Sequence, residues 1–271
     1  MRRAVLILGR IAVALMALLI LSPLLWAAYA SVKQGFDARR EPFAWPEEPS
    51  ADAYHAAIEG GLLQAMGHSA LITLISVALI LLLASLAAYA FARLRFRGQG
   101  ALRTLIIAGM MVPVHAVLIP LFIMAARAEV AGQWFSLIGP YVAFGLPLSV
   151  LLLTAYFADV PRELEDAARL DGCSELGIWW HVILPMSKVG LLTVAILQGV
   201  WIWNEYPMAL VLLTGSWKTL PVALAEFRGE HTANWSAILA GVVIVAAPLL
   251  TLFFLFQRVI MRGMTEGALK G

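Results

Sequence analysis

Acidic side chains are concentrated in one short stretch that lies between two long apolar segments of the chain. Residues 163–185 read ELEDAARLDGCSELGIWWHVILP and contain five carboxylates: Glu163, Glu165, Asp166, Asp171 and Glu175. No nucleophile with a general base accompanies them at a spacing that would support catalysis. The chemistry open to this stretch is therefore charge-complementary binding of a basic partner protein. A solvated acidic surface loop is the plainer interpretation of the same residues.

Local sequence features predict that this stretch forms two short helices joined by a glycine turn. Ala167 and Ala168 favour helix, and together with Leu164 they share one face, with the acidic side chains largely on the other. Gly172 then stops the helix, since glycine adopts a positive φ without steric penalty. A second amphipathic run follows and ends at Pro185, which cannot continue a helix.

A second candidate group of polar and aromatic side chains lies within a later apolar segment, around residue 200. Aromatic faces beside amide and carboxylate groups suit the recognition of a sugar, and an ionisable residue at membrane depth is usually functional. Helix packing and interfacial anchoring explain the same residues equally well. The candidate pathway residues are Gln198, Trp201, Trp203, Asn204 and Glu205.

The elements that would position both groups are membrane helices. Of the 271 residues, 62% are hydrophobic and 13% are charged, which is typical of a polytopic membrane protein. Six apolar runs are each long enough to cross roughly 30 Å of hydrocarbon, at about residues 6–32, 69–91, 105–126, 135–157, 189–213 and 237–260. We therefore predict an all-α fold of six transmembrane helices in a single domain of residues 1–271.

The distribution of Lys and Arg predicts how this domain is oriented. With the N-terminus inside, 13 of the 19 basic residues lie inside and six lie outside, as the positive-inside rule requires. Loops 33–68 and 214–236 are then external, whereas loop 158–188, the tail 261–271 and both termini are cytoplasmic. The six basic residues outside are Lys33, Arg39, Arg40, Arg127, Lys218 and Arg228.

Motifs for covalent chemistry are absent from the sequence. There is no GxxxxGK[ST] phosphate loop, no HExxH and no GxSxG, and the five histidines have no metal-ligand spacing. The single cysteine, Cys173, excludes a disulfide within the chain. We therefore expect a chain that is not an enzyme, that binds no cofactor or metal itself, and that has no nucleic-acid partner.

The acidic stretch resembles the EAA loop of ABC-importer permeases, in which Glu-Ala-Ala precedes a glycine and an Ile-Leu-Pro sequence. Here those positions are Asp166-Ala167-Ala168, Gly172 and Ile183-Leu184-Pro185. Asp166 departs from the usual glutamate but keeps the carboxylate. The residues that the resemblance assigns to coupling with an ATP-binding subunit are Glu163, Glu165, Asp166, Ala167, Ala168, Asp171 and Gly172.

Two further stretches resemble the carbohydrate-uptake permeases within that family. They are Thr219–Leu224 with Asn234-Trp235, and the tail from Gln257 to Gly271. The nearest type is the second, smaller permease subunit of maltose-type importers. This resemblance implies a sugar or oligosaccharide importer in the bacterial cytoplasmic (inner) membrane, with ATP and Mg bound by other chains. The implied partners are a second permease subunit in a heterodimer, two ATP-binding cassette subunits and an extracytoplasmic solute-binding protein.

Three other functions remain open at this point. A permease for glycerol-phosphate or a polyol is the closest alternative, although the apolar run that holds the candidate pathway residues carries no Lys or Arg to bind phosphate. An ion-coupled secondary transporter should show an inverted repeat or paired broken helices, and none is evident in the sequence. A membrane-embedded enzyme would need a catalytic cluster, and none stands out.

Overall fold

The computed structural model describes residues 2–33, 41–46, 48–226 and 235–268, and of residues 2–6, 8 and 258–268 it describes the backbone only. Within these ranges every regular element is helical, which confirms the predicted all-α class. Some residues that carried the orientation or the resemblance lie outside the described ranges, namely Arg39, Arg40, Arg228, Asn234, Lys270 and Gly271.

The helices follow one another along the chain as separate elements. In order they are α1 (Arg2–Ala30), α2 (Asp52–Glu59), α3 (Leu62–Arg93), α4 (Gln99–Ala108), α5 (Val114–Arg127), α6 (Ile138–Ala158), α7 (Arg162–Leu170), α8 (Glu175–Ile178), α9 (Leu184–Met186), α10 (Lys188–Trp203), α11 (Pro207–Leu212), α12 (Leu220–Glu226) and α13 (Trp235–Ala268). Short 3₁₀ turns cover Gly109–Met111 and Trp134–Leu137, and a π-helical turn covers Trp179–Ile183.

Four helical segments are long and apolar enough to cross a membrane: Gly9–Ala30, Leu62–Arg93, Trp134–Ala158 and Trp235–Gln257. Two bent pairs also qualify if each counts as one span. The first bends by 98° between Gln99–Met111 and Val114–Arg127, and the second by 79° between Glu175–Met186 and Lys188–Trp203. Counted in this way, up to six segments qualify, which is the predicted number, although Glu175–Met186 belongs to the predicted cytoplasmic loop 158–188.

The fifth predicted span is not continuous, which corrects the expectation of one helix over residues 189–213. Helix α10 ends at Trp203, and the chain becomes helical again only at Pro207. The physical reason is that Pro207 has no N–H to donate and its ring would clash with the carbonyl of Trp203 four residues earlier. Instead, the carboxylate of Glu205 accepts a hydrogen bond from the Met208 N–H at 2.7 Å.

Contacts divide the chain into two units, which we describe separately. The first comprises Met1–Met66 and Leu220–Thr251. Its buried apolar residues include Ala27, Ala30 and Leu239. The single domain predicted for residues 1–271 stays a prediction.

The second unit comprises Gly67–Thr219 and Leu252–Gly271, and it holds both groups of candidate residues. A buried apolar cluster of this unit joins the C-terminal half of α3 to α6, to the π-helical turn and to α10. Glycine allows α10 to approach α6 closely, since a Cβ at Gly190 would lie only 2.5 Å from Cγ of Tyr156. Small residues at such crossings let two membrane helices pack at short distance.

Candidate functional site

The acidic stretch folds as two short helices joined by a glycine turn, as predicted. Helix α7 ends at Leu170, and beyond it the Gly172 N–H donates to the carbonyl of Arg169 at 3.0 Å. The φ of Gly172 is 83°, a left-handed conformation that only glycine adopts freely. Helix α8 begins after Ser174, whose hydroxyl accepts a hydrogen bond from the Gly177 N–H at 3.2 Å and so caps the helix.

The buried face of α7 is not the one that its apolar periodicity predicts. Leu164 is 41% exposed and Ala167 is exposed, whereas Glu165 is only 2% exposed. Ala168 packs partly buried against the core cluster of the second unit. The face of α7 that meets the rest of the chain therefore carries a carboxylate, and burying a carboxylate is costly unless a cation neutralises it.

The cation that neutralises Glu165 comes from the last residue of α3. Nε of Arg93 lies 2.8 Å from Oε1 of Glu165, and both side chains are only 3% exposed. The Nη2 group of Arg93 also donates to the carbonyl of Phe157 at 2.5 Å and to the carbonyl of Val160. These carbonyls lie at the C-terminal end of α6, where the helix dipole attracts a cation. The sequence alone showed Arg93 only as one of several arginines in a basic turn.

A second set of ionic contacts fixes the turn between α7 and α8. Arg169 lies 3.0 Å from Asp166 through Nη1, 3.0 Å from Glu175 through Nε, and 3.6 Å from the second oxygen of Glu165. The hydroxyl of Tyr89 on α3 donates to Glu175 at 2.5 Å. Hydrogen bonds from Arg169 and then from Tyr89 lower the pKa of Glu175, and the bond to Glu175 raises the pKa of Arg169. The turn is therefore held by charged partners.

The rest of this loop combines carboxylates with uncovered apolar side chains. Leu170 is 90% exposed and Leu176 is 66% exposed, although burying a leucine is favourable by about 1.5–3 kcal/mol. Apolar side chains rimmed by polar ones mark interaction sites on protein surfaces. The residues exposed in this way, which we call the coupling-loop surface, are Glu163, Leu164, Asp166, Ala167, Leu170, Asp171, Gly172 and Leu176.

Among the candidate pathway residues, Gln198 lies buried between α10 and α6. Its Nε2 donates to the carbonyl of Gly145 at 3.2 Å and to Oγ of Ser149 at 3.1 Å. A Cβ at Gly145 would lie 3.0 Å from Oε1 of Gln198 and 2.5 Å from Cδ1 of Ile80, so a larger residue there would force these side-chain ends to shift. The amide of Gln198 therefore joins two helices.

Glu205 is buried at the break that follows α10. Its carboxylate accepts hydrogen bonds from the hydroxyl of Tyr141 at 2.7 Å, from the Met208 N–H at 2.7 Å and from the Ala209 N–H at 3.1 Å. The ring of Trp201 meets the ring of Tyr141 edge to face at 5.8 Å. The structure thus brings Trp201 and Glu205 together through Tyr141, a residue that the sequence did not single out because it is remote from both along the chain.

The other two candidate pathway residues have different surroundings. Trp203 is 9% exposed, and its Nε1 has no hydrogen-bond partner among the residues that the structure describes. Asn204 is exposed, and its Nδ2 donates to the carbonyl of Val200 on its own helix at 2.8 Å. All five assignments to a substrate pathway stay predictions.

Nothing in the described part of the chain groups three or more His, Cys, Asp or Glu side chains closely enough to hold a metal ion. The predicted lack of a metal or cofactor on this chain is a separate expectation and stays a prediction.

Comparison with known proteins gives a family and several relatives. Residues 80–266, more than half of the chain, match the family described as binding-protein-dependent transport system inner membrane component. The chain is 37% identical to the putative ABC transporter permease protein ORF2 of Caldicellulosiruptor sp. (strain Rt8B.4), over 83% of this chain and 82% of that protein. It is 34% identical to the sulfoquinovosyl glycerol transport system permease protein SmoH of Agrobacterium fabrum, over 93% and 89%. It is also 34% identical to the trehalose transport system permease protein SugB of Mycobacterium tuberculosis, over 93% of each chain.

The fold also recurs in a solved structure, that of a bacterial ABC transporter involved in the import of the acidic polysaccharide alginate. The TM-score is 0.79 at 22% identity, and the match covers 94% of this chain and 96% of that chain. The apolar helices and the family match together indicate a multi-pass protein of the inner membrane. On these grounds the chain belongs to the family of binding-protein-dependent transport inner membrane components and is a permease subunit of an ABC transporter.

Proposed function

We propose that this permease subunit carries a sugar or oligosaccharide across the inner membrane. The support comes from relatives whose names give trehalose and sulfoquinovosyl glycerol as their cargo, each at 34% identity over most of both chains. Trp201, Trp203 and Asn204 would supply the aromatic faces and the amide that sugar recognition uses. The buried groups of Gln198 and Glu205 would shape this region through the hydrogen bonds that they already make.

We further propose that the coupling-loop surface docks into a cleft of an ATP-binding subunit. The observation that carries this proposal is Leu170, which is 90% exposed at the end of α7 with the carboxylate of Asp171 next to it. A leucine in this position needs a cover that the described residues do not supply, and acidic neighbours favour a basic partner. ATP and Mg would then bind to that partner, which agrees with the lack of a phosphate loop in this chain.

The complete importer would contain this chain, a second permease subunit, two ATP-binding subunits and the extracytoplasmic solute-binding protein. The coupling loop must face the cytoplasm to meet ATP-binding subunits. The distribution of Lys and Arg favours this orientation, with both termini inside. ATP shifts such a machine between inward- and outward-facing states only through differential affinity for the two.

The docking proposal is tested by substituting Leu170 in the complex co-expressed with its ATP-binding subunit. Leu170→Ser should reduce co-purification of the ATP-binding subunit, because the exposed leucine is replaced without disturbing the core. Leu102→Ser on α4 is the matched control, since Leu102 is also an exposed leucine, at 45%, and it should leave co-purification unchanged. Equal retention of the ATP-binding subunit in both variants would refute the docking proposal.

The native thiol of Cys173 gives a second measurement that needs no substitution. Cys173 is exposed and follows Gly172 at the turn of the loop. A thiol reagent should modify it in membranes stripped of ATP-binding subunits and should modify it much more slowly once these are added back. Equal rates in both preparations would contradict docking at this turn.

The substrate proposal is tested on the solute-binding protein that serves the same importer. Calorimetric titration with disaccharides, oligosaccharides, glycerol phosphate and polyols should give binding of a sugar. Binding of glycerol phosphate or a polyol with no sugar binding would replace the carbohydrate assignment and would leave the docking proposal untouched.

A further inference from the structure

Arg93 makes three contacts at once from a buried position at the end of α3. Its side chain is 3% exposed, its Nε lies 2.8 Å from Glu165 on α7, and its Nη2 donates to the carbonyls of Phe157 and Val160 beyond it. A planar guanidinium holds several donors in a fixed arrangement, which a flexible ammonium does not. The side chain therefore fixes α7 and the end of α6 to the end of α3 with a defined geometry.

Tyr89 adds a second tie between α3 and the same loop. Tyr89 lies one helical turn before Arg93, so the two side chains share one face of α3. The hydroxyl of Tyr89 donates to Glu175 at the start of α8, and Arg169 joins Glu175 to Glu165. Helices α7 and α8 are thus attached to α3 at two separate points, which resists rotation of the loop about either one.

The pair between Arg93 and Glu165 has the wrong position for a contact with a partner protein. Glu165 is 2% exposed, whereas the side chain of the neighbouring Asp166 is 70% exposed and pairs with Arg169 at the surface. A buried ion pair is also a poor source of stability, since well-packed apolar residues often stabilise a fold as well or better. What the pair adds is orientation, because the buried charge of Glu165 is neutralised where Nε of Arg93 lies 2.8 Å from it, an ionic contact without hydrogen-bond geometry, and movement of α7 away from α3 would leave that charge unpaired.

We propose that Arg93 and Glu165 form the joint through which movement of the coupling loop reaches the inner ends of α3 and α6. They act as positioning residues: they pass on a movement imposed at the coupling-loop surface and do not touch the ATP-binding subunit. The inference rests on the proposed docking of that surface. It assigns to Arg93 and Glu165 a role that differs from that of Glu163 and Asp171, which the docking proposal places against the partner.

The test uses the complete complex of both permease subunits and the ATP-binding subunits in lipid nanodiscs. In a Cys173→Ser background, one spin label is attached to a cysteine at Arg162, which is exposed at the start of α7 and lies outside the coupling-loop surface. The other is attached to a cysteine at Leu94, which follows Arg93 and is 37% exposed. The distance between the labels is measured by double electron–electron resonance, first without nucleotide and then after trapping with Mg-ATP and vanadate. Variants Arg93→Gln and Glu165→Gln remove the joint, whereas Arg95→Gln and Glu163→Gln remove the same charges from exposed positions nearby.

In the parent complex the distance should be the same in both states, because loop and helix move together. Trapping should change the distance in Arg93→Gln and in Glu165→Gln, while both retain their ATP-binding subunits. The double variant should behave like either single variant, since the two side chains act as one unit. Arg95→Gln should resemble the parent, and Glu163→Gln should lose ATP-binding subunits with no change in distance.

Three results would overturn the joint. They are a distance in the parent that changes on trapping, a distance that stays fixed in Glu165→Gln, and a loss of ATP-binding subunits from Glu165→Gln like that from Glu163→Gln. If a single variant does not insert into the membrane or does not pair with the second permease subunit, Arg93→Met with Glu165→Met leaves no unpaired buried charge and should show the same nucleotide-dependent distance. Failure of the parent itself to bind ATP-binding subunits would refute the docking proposal instead, so the two failures are distinguishable.

Discussion

Replacing Gly172 by valine should show whether binding of the ATP-binding subunit depends on the backbone conformation of the coupling loop as well as on its exposed side chains. The φ of Gly172 is 83°, and a Cβ added there would meet no atom within 4 Å. The strain therefore comes from the backbone alone, at about 1–2 kcal/mol for a residue with a side chain in the left-handed region. An energy of this size changes a two-state population by a factor of about 5–30. Affinity falls in proportion to the fraction of loops that keep the binding conformation.

The expected result is thus a dissociation constant for the ATP-binding subunit that rises by up to about 30-fold in Gly172→Val. Gly172→Asn should lose less, because asparagine tolerates the left-handed region better than other residues with side chains. Gly98 is the matched control, since it has the same φ of 83° and equally open space, but lies in the basic turn before α4. Wild-type affinity in Gly172→Val, or an equal loss in Gly98→Val, would refute the reasoning.

Three further predictions follow from particular contacts. Gly190→Ala should lower the thermal denaturation temperature and the yield of folded protein, because its Cβ would lie 2.5 Å from Cγ and 2.9 Å from Cβ of Tyr156, an overlap that costs about 1–3 kcal/mol. Gly199→Ala is the control, since a Cβ there meets nothing within 4 Å, and its denaturation temperature should equal that of the wild type. The lowered pKa of Glu175 means that its contribution to stability is present above the ordinary value of 4.5 and is lost as the pH falls through the lower folded value. Glu175→Gln should therefore make the free energy of unfolding depend less steeply on pH below 4.5. An unchanged dependence would contradict this. In a Cys173→Ser background, a cysteine at Ser216 should react with an impermeant thiol reagent in spheroplasts and one at Arg95 should not, both positions being exposed; the opposite pattern would invert the topology.

Much of the architecture follows from features that act over short stretches of sequence. The apolar runs predicted the helical class and the number of spans, because hydrocarbon leaves a backbone few other ways to satisfy its hydrogen bonds. The turn at Gly172 was predictable because glycine alone enters the left-handed region without strain. The apolar run 189–213 predicts one helix, whereas the helix ends at Trp203; Pro207, which cannot continue a helix, is the local signal for this break.

The buried face of α7 was not predictable from periodicity, because periodicity assumes that charged residues face water. Glu165 is an exception that depends on Arg93, which comes from a distant part of the chain. The same holds for Glu205, whose partner Tyr141 lies on α6. In each case the sequence alone predicts that the carboxylate faces water or a substrate pathway, whereas in the structure a second helix supplies a hydrogen-bond donor or a cation to it. Only the three-dimensional arrangement supplies that donor.

The hydrogen bonds of the candidate pathway residues distinguish those that hold helices together from the one whose buried polar group is unpaired within the described part of the chain. Glu205 closes the break after α10 by accepting three hydrogen bonds, and Gln198 joins α10 to α6 with two more. A sugar hydroxyl that displaced one of these bonds would remove a contact that holds the helices together. Trp203 differs, since its buried indole N–H has no partner among the described residues. A buried donor left unpaired is costly, so a hydroxyl oxygen that accepted a hydrogen bond from Trp203 would remove that cost, whereas the bonds of Gln198 and Glu205 already join helices.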